Sequence, residues 1–144
     1  MKRGGFSVVE LLVVVAIVGI LGGISVISGR TILKGQEERA AVHSFRQAVS
    51  RGATAASAKG KTLRLVKGNG KLTLKEGAKT FQTYDLAKTL GTNLSDGVLL
   101  EFQPTGKITS SSLNALPKPI TLITEAKTYE LTVSLIGEVK VVTQ

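Results

Sequence analysis

The chain has 144 residues, with 19 Lys and Arg against 10 Asp and Glu, a formal net charge of +9, one His and no Cys. That length allows one domain beyond an N-terminal helix, the missing cysteines exclude a disulfide framework, and a lone His43 excludes a zinc site or a His-based triad within one chain. The basic balance suits nucleic acid, an anionic membrane surface or solubility alone. The first element is announced by Lys2-Arg3-Gly4-Gly5-Phe6-Ser7-Val8-Val9-Glu10, after which Leu11 to Gly29 runs for 19 positions without a charge. Such a run is long enough to cross roughly 30 Å of hydrocarbon as a helix. A carboxylate at its head is costly in lipid unless it is paired or marks a function.

A secretory signal peptide carries its small-residue cleavage site after the apolar core. Here the small residues, Gly4-Gly5, come before it, which predicts cutting ahead of the helix and retention of the helix in the mature chain. This order resembles the class III leader of type IV pilins and type II secretion pseudopilins. The resemblance implies that a prepilin peptidase cuts between Gly5 and Phe6, that Phe6 is then N-methylated as residue one, and that Glu10 is the fifth residue. It also implies that Glu10 of one subunit neutralises the Phe6 amine of the next during filament assembly. Physical chemistry points the same way, since a carboxylate in low dielectric takes up a proton or seeks a cation. The plainer alternative is that Glu10 snorkels to the interface. Loss of Lys2 and Arg3 lowers the net charge from +9 to +7. Arg30, Lys34 and Arg39 follow the apolar run, so flanking charges leave its orientation open. The resemblance implies that the C-terminal domain lies outside the cytoplasmic membrane.

The helical pattern continues to about Ala58. Ala41, Val42, Phe45, Ala48, Val49, Gly52 and Ala56 recur at three-and-four spacing, while Arg39, Arg46 and Arg51 fall on other faces. His43 is expected on the helix surface. The stretch from Gly52 to Ala58 has almost no side-chain bulk and permits a sheet to approach closely. Gly19, Gly22, Gly23, Gly29 and Gly35 each cost about 1 kcal/mol of helix propensity against Ala, which predicts a kink or melted turn between Gly19 and Gly35. Small residues in a membrane helix are equally contact points for neighbours.

From Lys61 the period changes to alternation. Thr62 to Val66 and Leu72 to Leu74 flank Gly68-Asn69-Gly70, a hairpin signal. Phe81 to Tyr84 predicts a short strand, Asp85 to Asn93 a helical turn or loop, and Val98 to Phe102 a strand before the turn Gln103-Pro104-Thr105-Gly106 and Ile108-Thr109. Ser110-Ser111-Ser112 is expected in a polar loop, Ile120 to Thr124 in a strand, and Tyr129 to Leu135 pairs with Val139 to Val142 across Ile136-Gly137-Glu138. The fold class expected is α+β: a long N-terminal helix, part transmembrane and part amphipathic, packed on a C-terminal antiparallel β-sheet domain. The divisions expected are a leader at 1–5, an assembly helix at 6–29, its amphipathic continuation at 30–58, and a β-rich head at 59–144.

Phe102-x-Pro104-x-Gly106 between strands, followed by a final hairpin with Gly137-x-Val139-x-Val141, resembles the GspH/FimT-type minor pseudopilins. That resemblance implies a minor structural subunit of a type IV pilus or a type II secretion pseudopilus. Its partners would be other pilin or pseudopilin subunits, the prepilin peptidase and methyltransferase, an inner-membrane assembly platform and membrane lipid. It would be a single-pass inner-membrane protein before it enters the filament. The alternative is a DNA-binding minor pilin for DNA uptake in natural transformation. The chain lacks a basic C-terminal tail for that role, so the candidate DNA-binding residues are Lys59, Lys61, Arg64, Lys67 and Lys71, with Lys75 and Lys79 continuing the series. A solvated sheet edge whose lysines discourage strand pairing accounts for the same residues. The carboxylates are scattered, Ser110 to Ser112 have no base nearby, and Gly68-Asn69-Gly70 lacks the features of a phosphate loop, so neither catalysis nor a cofactor is expected.

Overall fold

The computed structural model describes residues 7–86, 89–125 and 127–144, and the side chains of these except 24–35 and 37–38. The chain divides at Gln36/Glu37 into two compact units. The first helix, α1 (Val8–Lys59), runs for 52 residues. Ser7 caps its start, with the Val9 amide donating to Ser7 Oγ at 3.3 Å. Its end is closed by two bonds that a helix C-terminus otherwise lacks, from Gly60 N–H to Ser57 C=O and from Lys61 N–H to Ala56 C=O. The melted turn expected between Gly19 and Gly35 is absent, and the helix is unbroken there. No proline interrupts it, and five scattered glycines lower propensity without removing a hydrogen bond.

In the first unit, the side chains from Val8 to Gly23 are exposed on all sides. Among the described residues no helix is long and apolar enough to cross a membrane. The span expected from Leu11 to Gly29 extends into positions 24–29, whose side chains lie outside the described ones.

The strands of the second unit all pair antiparallel. One sheet has the order β3-β2-β1-β5, from β1 (Leu63–Gly68), β2 (Lys71–Glu76), β3 (Lys79–Asp85) and β5 (Gly97–Phe102). The other has the order β4-β6-β7-β8, from β4 (Gly91–Thr92), β6 (Ile120–Ile123), β7 (Thr128–Val133) and β8 (Val139–Thr143). The architecture is therefore α+β, as the sequence pattern and the resemblance imply, with the strands divided between two sheets. Asn69, at a φ of 51°, and Gly70, at 70°, make the tight turn of the first hairpin, whose positive dihedrals match the twist of the flanking strands.

Register places the apolar side of each strand inward. Leu65 lies opposite Leu74 and Leu100, Leu63 opposite Phe102, and Leu72 opposite Tyr84. In the second sheet Leu131 stands between Ile120 and Val141, and Leu122 opposite Tyr129. These side chains close over Val42, Phe45, Val49 and Ala56 of α1, and Phe45 and Phe102 are wholly buried. The bulk-free stretch of the helix does what its composition allows. A Cβ on Gly52 would run into the Phe102 ring, so only glycine lets the helix come this close to β5.

The three serines depart from the loop expected of them. Ser110–Ala115 forms a short helix, α2, with Thr109 at its N-cap. Ser112 Oγ donates to Thr109 C=O at 3.0 Å and accepts from the Glu101 amide at 3.1 Å, which ties α2 to β5. Local hydroxyl-to-backbone bonding of this kind lets a serine run open a helix as readily as a turn.

Candidate functional site

The N-terminal candidates separate by position. Gly5 and Phe6 lie outside the described residues, whereas Glu10 stands in the first turn of α1. With Ser7 as N-cap, Glu10 occupies the third helical position, the serine-x-x-glutamate spacing of a capping box. A carboxylate there meets the positive end of the helix dipole, which favours its charge. This spacing was legible in the sequence and fits Glu10 to a local role at the helix start. Around it Val8, Leu12, Val18 and Ile20 expose between 62% and 76% of their surface. A helix that is apolar on every face needs cover from lipid or from other helices.

The basic series runs along the first hairpin, from Lys59 and Lys61 before the start of β1 to Lys67 and Lys71 beside its turn, and it is largely neutralised there. Glu76 accepts from Lys61 Nζ at 2.6 Å and from Lys59 Nζ at 3.0 Å. Lys59 Nζ also sits 4.2 Å from the centre of the Phe81 ring. The two lysines hold the Glu76 carboxyl at a pKa of about 2, chiefly through the bond from Lys61, and the same bond raises the Lys61 ammonium above its ordinary value. Arg64 Nε donates to Glu101 at 2.9 Å, and Lys67 Nζ donates to Asp96 at 2.5 Å. Lys71 stands opposite Asp85 in the ladder, and Arg64 opposite Lys75. Four of the five candidate DNA-binding residues thus spend their charge on carboxylates of the same domain. Sequence order hid this because Glu101 and Asp96 lie on or beside β5, 37 and 29 positions from their partners.

The Pro-Gly turn and the final hairpin share one structural task. Gly106, at φ 80°, would bring a Cβ to 3.2 Å from Ala53 C=O, and Gly137, also at φ 80°, to 3.2 Å from Ala53 Cβ. Ile108 N–H donates to Leu135 C=O at 2.9 Å, so the two turns are fastened to each other as both rest on α1. The motifs that carry the finer resemblance are therefore seats for the helix.

Among the described residues there is no group of three His, Cys, Asp or Glu side chains placed to hold a metal. His43 is exposed, with its Nε2 3.0 Å from Gln47 Nε2. Tyr84 Oη is buried without a hydrogen-bond partner, and burial pushes its hydroxyl pKa up while Arg51 opposes the shift.

The model of the prokaryotic N-terminal methylation motif matches residues 1–26. No curated protein matches the chain, and no solved structure matches it. The matched stretch contains Gly5, Phe6, Glu10 and the exposed apolar segment of α1, so the N-terminus carries this methylation motif.

Proposed function

We propose that this chain is a minor pilin or pseudopilin, a structural subunit assembled through its N-terminal helix into a type IV pilus or a type II secretion pseudopilus. The observation that carries this reading is the all-round apolar surface of α1 with one carboxylate in its first turn, inside a prepilin-type methylation motif. In this reading the leader 1–5 is removed after Gly5 by prepilin peptidase and the Phe6 amine is methylated. Helix 6–29 waits in the inner membrane, residues 30–58 continue it, and the head at 59–144 stands outside. On assembly the apolar faces of neighbouring helices replace lipid, and Glu10 pairs with the Phe6 amine of the next subunit. Pairing offsets the cost of both charges in low dielectric, and because it fits at one stagger only it sets the register of the filament.

The finer assignment to the GspH/FimT type draws support from Gly106 and Gly137, whose turns seat the head on α1. A DNA-uptake role through Lys59, Lys61, Arg64, Lys67 and Lys71 draws little support, because four of these are ion-paired. Intact mass and N-terminal peptide mapping of the protein from native membranes test the assembly reading. A chain that begins at N-methylated Phe6 is the expected result. A chain that keeps residues 1–5 in membranes, or one that starts beyond Gly29, would end the filament reading.

A further inference from the structure

Among the described residues the outer strand β8 pairs with β7 alone. Ser134 N–H donates to Glu138 C=O at 2.9 Å and Gln144 N–H to Thr128 C=O at 3.0 Å, which marks those two pairs as hydrogen-bonded. Hydrogen-bonded and non-bonded pairs alternate along an antiparallel ladder. Lys140 and Val142 therefore give their backbone groups to β7, and Val139, Val141 and Thr143 turn N–H and C=O away from it.

Two adjoining cavities, of about 680 Å³ and 240 Å³, lie between that free edge and α1 and share His43 and Arg46. Val139 lines the first and Val141 the second, so the cavities follow the strand. The opposite wall carries Arg39, Arg46 and Arg51. Among the described residues these three arginines make no ion pair, in contrast to the cations of the first hairpin. Glu138 is the one carboxylate on the lining among the described residues.

We infer that this groove receives an extended acidic segment of a partner protein, added to β8 as a further strand. An open edge offers main-chain donors and acceptors that bind any extended chain, while side chains along the groove supply selectivity. Alternate residues of an added strand face the same way, so acidic residues at every second position meet Arg39, Arg46 and Arg51, whose planar guanidinium groups suit carboxylates. A nucleic acid would use the arginines and leave the strand edge unsatisfied, and the aromatic side chain in the groove, Tyr129, is buried rather than offered for base stacking. The groove lies within residues 37–144, so this inference and the filament reading stand or fall separately.

The test uses the full chain, isotope-labelled in detergent micelles, with an acetylated peptide that alternates glutamate and valine. Its lysine counterpart and a single-stranded oligonucleotide serve as the other probes. The glutamate peptide should slow amide exchange at Val139, Val141 and Thr143 by about tenfold or more. Val141→Pro removes one outward N–H at a position where an edge strand tolerates proline, and should weaken binding by about tenfold. Should that variant not fold, Arg46→Glu at an exposed helix position decides, and should shift preference from the glutamate to the lysine peptide. Unchanged exchange at the three amides under saturating glutamate peptide would overturn the inference. So would glutamate-peptide binding indifferent to the substitutions, or binding of the oligonucleotide in place of the peptide.

Discussion

The two halves of α1 are built from one continuous helix and face opposite demands. From Val8 to Gly23 apolar side chains cover every face and all of them are exposed, whereas from Ala41 to Ala56 they keep to one stripe and are buried beneath two sheets. The stripe finds its partner within the chain, in Leu63, Leu65, Leu100 and Phe102. The all-round surface has none among the described residues and must find it outside, in lipid or in other subunits. Hydrophobicity alone therefore does not say what a helix does; the angular spread of its apolar residues does.

The largest expected effect tests the outward-facing half. Gly5→Val should abolish maturation, seen as a full-length precursor by intact mass, and Glu10→Val should mature normally yet enter filaments poorly. A mature-sized Gly5→Val product would remove the cleavage argument, and normal incorporation of Glu10→Val would remove the pairing argument. Next comes the inward-facing half. Phe45→Ala empties a wholly buried site and should cost the head about 3–5 kcal/mol in denaturant unfolding of the full chain. Leu12→Ala, at a site 62% exposed, should leave that transition within about 0.5 kcal/mol of the parent. A head destabilised by Leu12→Ala would break the comparison.

A sharper version makes one substitution in both halves. Gly52→Ala drives a methyl into the Phe102 ring and should destabilise by about 1–3 kcal/mol. Gly22→Ala meets nothing within 4 Å and should favour the helix by up to about 1 kcal/mol, read as helix content in micelles. Opposite signs would show that glycine is required where the helix meets β5 and is only tolerated in the apolar segment.

Legibility in the sequence follows the same division. Period and punctuation disclosed the stripe from Ala41 to Ala56, the Asn69-Gly70 turn and the bulk-free stretch from Gly52 to Ala58, because each depends on neighbours in the chain. Lys61 to Lys71 read as a basic surface because lysine spacing is local, while the carboxylates that neutralise it arrive from β2, β5 and the segment before β5. The assignment of Gly106 and Gly137 as seats on Ala53 was hidden for the same reason: a turn glycine looks alike whether it faces water or a helix. The serine run at Ser110 is tied to β5 by a bond from the Glu101 amide that no local pattern reveals.

The smallest effect expected lies at the junction where α1 ends and the sheet begins. Glu76 holds Lys59, the last residue of the helix, and Lys61 just beyond it. The folded carboxyl, at about 2, lies below its ordinary value of 4.5, so its contribution is present above pH 4.5 and is lost as pH falls from there toward 2. The Lys61 ammonium is raised instead, so its share is present below 10.5 and is lost as pH climbs past that value. Both groups face solvent, which screens the pair and keeps the effect small. Glu76→Gln should lower the melting temperature slightly at neutral pH and flatten its fall between pH 4.5 and 2, while Glu10→Gln leaves the head's profile unchanged. An acid limb as steep in Glu76→Gln as in the parent would mean that the helix end is held by the Gly60 and Lys61 backbone bonds to Ser57 and Ala56, and that the ion pairs only decorate it.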